Sequence, residues 1–291
     1  MQAAEGVWQI RADNPGPMTG SGTNSYVLHG PEGAVVIDPG PALPAHLAAL
    51  RAALRGAPLR AVLLTHPHLD HSALVGALKA ETGAPVYGFG AAHAGRSAVM
   101  EGLVANGLRG GGEGVDEAFT PDVAIGDGAL LRLAGLQLEA IHTPGHMGAH
   151  LCYALGNILF SGDHVMGWAS TLISPPDGDM AQYMASLAKL AARHWQQFLP
   201  GHGAAVSDPA ARLAELAQHR RAREAAIVTA LRAAPARPAE LARQLYTDTP
   251  PALLPAAARN ILAHLIDLHD RNVVTPDGAL GAEAIFKFIR E

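Results

Sequence analysis

Nothing in this chain constrains its fold more than the junction at residues 59–72, where the apolar run LRAVLL gives way to THPHLDHS. The first part reads as a buried β-strand, and the SALVGALKAETG that follows has helical spacing and stops at Gly83. Between strand and helix, His66, His68, Asp70 and His71 fall within six consecutive residues. A tight turn there can aim all four side chains into one cleft at the edge of a sheet. Neutral histidine is a frequent ligand of divalent metals, and carboxylates bind the same ions. The chain has 15 histidines, so some will cluster by chance, but H-x-H-x-D-H at a strand-to-helix junction is specific enough to read as a metal site. Four ligands in six residues cannot by themselves enclose two metals. Further ligands are expected from His146 in AIHTPGHMG, Asp163 in ILFSGDH and His202 in FLPGHG, each at a strand end in a glycine-flanked loop.

Around this junction, strand and helix patterns alternate. SYVLHG and GAVVIDPG, separated by PEG, predict an early hairpin, and PALPAHLAALRAALRG predicts a helix stopping at Gly56. APVYGF is a further short strand, so the region reads as a layered α/β domain. Gly102–Gly114 reads as an open glycine-rich loop, either a surface connection or a substrate lid. Short strands are expected from Asp122 to Phe160, and a helix over GDMAQYMASLAKLAARHW. After Gly203 the pattern becomes a long helix with Asp208 as its N-cap, two further helices, and a terminal hairpin over VVTPDGALGAEAIFKF. That order suggests a winged-helix-like domain at 207–291 behind a catalytic domain at 1–206.

Hydrophobic residues at 49% and charged ones at 16% fit a globular chain with a substantial core. A net charge of −5 gives no overall attraction to nucleic acid or anionic membrane. No apolar run reaches the roughly 18 residues of a membrane span, and the N-terminus lacks a basic segment followed by an apolar one, so a cytoplasmic enzyme is expected. Cys152, the only cysteine, lies in LCYAL and reads as a buried small hydrophobe.

Taken in order, THPHLDH, HTPGH, FSGD and PGHG resemble the metallo-β-lactamase superfamily over roughly Asn14 to Gly203. The resemblance implies an αββα sandwich with a dinuclear metal site along one edge. By matching positions, His66, His68 and His146 would bind a first zinc, Asp70, His71 and His202 a second, and Asp163 would bridge them. Iron or manganese are the alternatives to zinc. A hydroxide held between two such ions is the expected nucleophile, with Asp70 accepting its proton. An aspartate at 163, where β-lactamases generally carry cysteine or serine, points away from antibiotic hydrolysis. NPGPMTGSGTNSYVL, VIDPGP, FSGDHVMGW, SPPDGDMAQYMASL and the tail HRRAREAAI, LYTDTP and NILAHLIDL resemble the β-lactamase-like protein 2 group along nearly the whole chain. That group includes a single-stranded-RNA endoribonuclease and thioesterases acting on acyl carriers.

Four further residues are candidates around such a site. Asp38, at the end of VVID, is expected to support the ligands, and His150 to lie near the mouth of the site as a substrate or supporting group. Trp168 is a candidate pocket wall, and Asn24 a turn hydrogen-bonder. His164 is expected to point away from the metals. The tail from Arg237 onward carries six basic and seven acidic residues, without the positive excess that duplex binding needs. It is therefore read as a structural cap, a substrate-shaping wall or a homodimer surface, with a metal-sensing DNA-binding regulator as the reading of another class. An ester or thioester, such as an acyl-CoA or acyl-carrier thioester, is the expected substrate, single-stranded RNA the alternative, and no membrane partner is expected.

Overall fold

The computed structural model describes residues 1–112 and 114–289. The first sheet has seven strands in sequential order, β1 Gln2–Ala4, β2 Val7–Arg11, β3 Asn24–Gly30, β4 Gly33–Ile37, β5 Leu59–Leu63, β6 Val86–Gly88 and β7 Val123–Ala124. Pairing is antiparallel up to β4 and parallel from there on. The second sheet holds β8 Leu130–Leu133, β9 Leu136–His142, β10 Leu151–Leu155, β11 Ile158–Gly162 and β12 Gln197–Pro200, in the order β12-β11-β10-β9-β8. Only β11 and β12 run parallel there.

Residue alternation decides how the sheets stack. Tyr26, Leu28, Val35, Ile37 and Leu63 turn to one side of the first sheet and share a core with Leu138, Ala140, Leu151, Tyr153 and Phe160 of the second. Their sequence neighbours face outward. Val27, Val36 and Val62 are covered by α1 (Pro44–Leu54) and α3 (Val75–Thr82). Ile141, Cys152 and Leu159 are covered by α5 (Met180–Ala191), through Met180, Tyr183, Leu187 and Leu190. The result is a four-layer αββα sandwich, and Cys152 sits fully buried within it. The four-residue helix α2 (Leu69–Ser72) lies between β5 and α3.

The remaining helices are α4 (Ala98–Ala105), α6 (Pro209–Ala233), α7 (Pro238–Leu245) and α8 (Leu254–Asp270), followed by the antiparallel hairpin of β13 (Val274–Asp277) and β14 (Ile285–Phe288). Asp208 caps α6 by accepting from Ala211 N at 3.0 Å, with Pro209 in its first turn. α6 serves two cores. Leu213 and Leu216 pack on the second sheet, whereas Ile227 and Leu231 pack with α7, α8 and the hairpin. The change of domain therefore falls within this helix in packing terms.

The segment Gly102–Gly114 is not an open loop throughout. Residues 102–105 are the last turn of α4, which Ser97 caps by accepting from Met100 N at 3.3 Å, and Met100 is buried in the C-terminal core. Its far end is tied to the histidine turn, where Leu69 N donates to Gly114 O at 2.8 Å. Glu113 in this segment, and Arg290 and Glu291 of the tail, lie outside the described residues.

Candidate metal centre

Four strand ends converge to build the site. His66 and His68 occupy the turn after β5, and Asp70 and His71 ride on α2. His146 comes from the β9–β10 connection, Asp163 follows β11 directly, and His202 follows β12. Close approach of these loops depends on glycine. A Cβ at Gly201 would stand 2.4 Å from Asp163 Oδ1 and 2.7 Å from His71 Cε1. One at Gly162, where φ is +48°, would stand 2.6 Å from His150 Nε2.

His66, His68 and His146 form one group of donors. His146 Nδ1 donates to Leu172 O at 2.8 Å, which leaves its Nε2 without a proton in the neutral ring. His66 Nδ1 donates to Thr65 Oγ1 at 2.9 Å, while that hydroxyl donates to Asp38 Oδ2 at 2.7 Å. The free Nε2 atoms of both rings face His68 Nδ1, at 3.0 Å from His66 and 3.1 Å from His146. Three ring nitrogens thus meet with at most one hydrogen among them, a donor set suited to a single cation. Burial first, and then the crowding of other imidazoles around it, push His68 down to about 3, and burial pushes His66 well below the ordinary histidine range. Both rings are in the neutral form that a ligand needs.

Asp70, His71 and His202 form the second group. His202 Nε2 lies 3.2 Å from Asp70 Oδ2 and 3.3 Å from His71 Nε2. Asp163 stands between the groups. Its Oδ2 is 3.3 Å from His202 Nε2, 3.8 Å from His146 Nε2 and 4.0 Å from His66 Nε2, and its Oδ1 is 3.5 Å from His71 Nε2. That Oδ1 is buried without a hydrogen-bond donor, an arrangement costly for a carboxylate unless a cation meets it.

Electrostatics fit the same reading. Burial would strip the protons from His71 and His202, but the facing carboxylates reverse it. Asp70, Asp163 and Asp38 bring His71 up to about 9, and Asp163 and Asp70 bring His202 up to about 11. Burial would likewise raise both carboxyl groups, yet His202 and His71 hold Asp163 well below the usual range, and His71 and His202 do the same for Asp70. The second group therefore favours positive charge, which a divalent cation would supply in place of protons.

A cleft of about 540 Å³ opens over the centre. Asp70, His68, His146, Asp163 and His202 form its polar floor. Met18, Met166, Trp168 and Leu172 line it, together with Tyr246, Leu253 and Ala257 of the C-terminal domain. Among the described residues, no lysine or arginine lines it. Met18, Leu69 and Trp168 remain 46–47% exposed at the mouth, apolar surface that a ligand could cover.

Residues 18–202 match the metallo-beta-lactamase superfamily, and residues 238–282 match the beta-lactamase associated winged helix domain. The chain belongs to the metallo-beta-lactamase superfamily. It is similar to the beta-lactamase-like protein 2 homolog of Drosophila melanogaster, 29% identical over 276 residues, covering 90% of this chain and 87% of that protein. The metallo-beta-lactamase family protein TTHA1429 from Thermus thermophilus shares the fold over the whole length, with a TM-score of 0.78 at 23% identity, covering 98% of this chain and 99% of that one. TTHA1623 in a di-iron-bound form is 29% identical, with a TM-score of 0.52, covering 69% of this chain and 94% of that one. Members of the superfamily are typically metal-dependent hydrolases, and this one carries a His/Asp cluster able to hold metal.

The supporting residues of this superfamily member differ in part from expectation. Asp38 does lie behind the centre, accepting from His71 Nδ1 at 3.0 Å. Trp168 lines the cleft and packs against Gly20 and Gly203. His150 is not near the mouth. It is fully buried beneath the centre, because β10 begins at Leu151 and carries the chain inward at once. Its Nε2 accepts from Asp163 N at 3.2 Å, and its ring stacks on His66 at 5.2 Å between centroids. Asn24 sits in β3 and donates to the carbonyls of Pro200 and Gly203, at 3.0 and 2.9 Å, fixing the turn that carries His202. His164 packs on Tyr183, away from both ligand groups. Thr65, Thr23 and the Leu172 carbonyl were not foreseen. Thr23 Oγ1 donates to Asp70 Oδ2 at 3.1 Å. Only the position of Thr65, directly before His66, offered any signal.

Proposed function

We propose that the protein is a dinuclear zinc hydrolase of an ester or thioester with an apolar acyl group, such as an acyl-CoA or acyl-carrier thioester. In this reading His66, His68 and His146 hold one ion, Asp70, His71 and His202 hold the other, and Asp163 is shared. Bound there, divalent ions supply Lewis acidity and an activated water. The chain's own residues do the rest. Asp70, with 28% of its side chain exposed, faces the cleft and is placed to accept the proton of the attacking water. Asp38, Thr65 and Leu172 fix the ring orientations of His71, His66 and His146. The apolar walls hold the acyl group and exclude water from the reacting carbonyl.

One observation carries the substrate class: the ligand cluster floors a large cleft that is apolar and lined by no described lysine or arginine. RNA cleavage would need cations along the path of the phosphates. Duplex recognition by the winged-helix domain is disfavoured too, since α8 buries residues 261–266 without a break and Ala263 enters the core behind the second sheet. No helix among the described residues is long and apolar enough to cross a membrane.

The test is an assay of the purified chain, with its metal content measured, against acyl-CoA thioesters, lactones and labelled single-stranded RNA, beside a chelated control. Chelator-sensitive thioester hydrolysis is expected. Inactivity on every ester, or RNA cleavage abolished by Asp70→Ala, would overturn the reading.

A further inference from the structure

The C-terminal domain reaches the candidate centre through three consecutive residues. Thr171 O accepts a hydrogen bond from Arg220 Nη2 of α6. Ile173 N donates to Asn260 Oδ1 of α8 at 3.0 Å, and Arg220 Nη1 donates to the same oxygen at 3.3 Å. Between these two anchors, Leu172 O accepts from His146 Nδ1. Thr171 Oγ1 also donates to the carbonyls of Asp163 and His164, at 2.7 and 3.0 Å. One short stretch is thus gripped from the C-terminal domain on both flanks, and it touches His146 and the backbone of Asp163.

Arg220 is an unusual residue for a helix interior. It is 1% exposed, its guanidinium lies over the Tyr183 ring at 5.2 Å, and its Nε has no hydrogen-bond partner. Burying a guanidinium among neutral partners is unfavourable, and a leucine or methionine would fill the space at lower cost. What the charge adds is a strong, directional bond to the Thr171 carbonyl.

We propose that Arg220 and Asn260 are positioning residues for the metal centre: by fixing the Leu172 carbonyl, they hold His146 in the Nδ1-protonated form, with Nε2 turned to the ion. The inference rests on His146 being a metal ligand, as set out above. It gives the winged-helix domain a second part to play, beyond walling the cleft.

Two measurements on the full chain test it without using substrate, since Asn260 also lines the cleft. The first is the nitrogen chemical shifts of the His146 ring in metal-free protein. The second is the rate at which zinc-loaded protein yields zinc to a chelator. Arg220→Met and Asn260→Leu should shift the His146 ring towards a mixture of tautomers and release zinc about 10–100-fold faster, the usual effect of losing a ligand's supporting partner. Arg220→Lys, which keeps the charge but not the fork, should fall between them and wild type. Unchanged ring shifts with wild-type zinc release in both variants, even with a lower unfolding temperature, would overturn the proposal and leave Arg220 a packing residue. If Arg220→Met does not fold, Asn260→Leu and Arg220→Lys decide by the same two readouts. A wild-type chain that takes up no zinc would tell against the metal reading itself, and the ring shifts would still decide whether the clamp orients His146.

Discussion

Asp38 Oδ2 accepts a hydrogen bond from His71 Nδ1 at 3.0 Å, while Asp38 Oδ1 accepts from Thr65 N at 2.7 Å. One carboxylate therefore fixes a ring on α2 and the start of the turn that carries His66. It does so from a left-handed backbone conformation, φ +50°, which asparagine adopts at lower cost than alanine. The two substitutions should separate. Asp38→Asn is expected to fold and to bind metal about 10–100-fold more weakly. Asp38→Ala should in addition lose about 1–3 kcal/mol of stability by leaving the buried Thr65 N–H unpaired, before any cost of the backbone. Metal titration and thermal unfolding of both variants check this, and wild-type affinity in the asparagine variant would remove Asp38 from the support of the centre.

Gly201 predicts a local lesion. Its missing Cβ is the space that Asp163 and His71 occupy. Gly201→Ala must push one of them aside, so metal content and turnover should fall together, by about tenfold or more. Gly76→Ala in α3, where a Cβ meets nothing within 4 Å, should instead be neutral or stabilising by up to about 1 kcal/mol. If Gly201→Ala is as benign as Gly76→Ala, Asp163 and His71 are not held as tightly as their contacts with Gly201 indicate.

What could be read from the sequence follows a physical pattern. The histidine turn was legible because a short, nearly continuous apolar run ends in it, whereas the sandwich was expected only from the resemblance of the ordered motifs to a known superfamily. His146, Asp163 and His202 could be picked out since each interrupts a strand end beside a glycine. By contrast, the Leu172 carbonyl, Arg220 and Asn260 act through contacts 26 to 87 residues apart in sequence, set by how the C-terminal domain lies on the sandwich. Backbone carbonyls leave no mark on a sequence at all. His150 supports the centre from below and not from its mouth, because the chain enters β10 just after it and buries it.

The C-terminal wall of the cleft should set the acyl length. Ala256 at the start of α8 is half-buried and lines the cleft, so Ala256→Phe has room to project into it. For thioester substrates, long acyl chains should lose about tenfold or more in kcat/KM, while acetyl thioesters stay near wild type. A chain-length series measures this directly. An equal change for every length would mean that the acyl group lies elsewhere, against Met166 and Trp168 for instance.

His264 makes the stability of the protein pH-dependent away from the metal centre. It is 1% exposed in α8, and neither ring nitrogen has a partner. Burial first, then the charges of Arg220, Arg223 and His219 on α6 and of Arg271 at the end of α8, push it down to about 3. An unfolded chain takes up that proton near 6.5, well before the folded one does. As pH falls below about 6.5 the unfolded state is therefore favoured, by about 1.4 kcal/mol per pH unit for this group, or about 2 kcal/mol at pH 5. Its contribution is complete above 6.5 and lost progressively towards 3. His264→Leu removes the titration and leaves no partner unsatisfied, so metal-free variant and wild type should be within about 1 kcal/mol of each other at pH 8. At pH 5 the variant should have gained about 2 kcal/mol on wild type. The other buried histidines are common to both proteins and drop out of the difference. Denaturant unfolding at the two pH values measures it, and a difference that does not widen on acidification would mean that His264 gains a proton partner in the folded state.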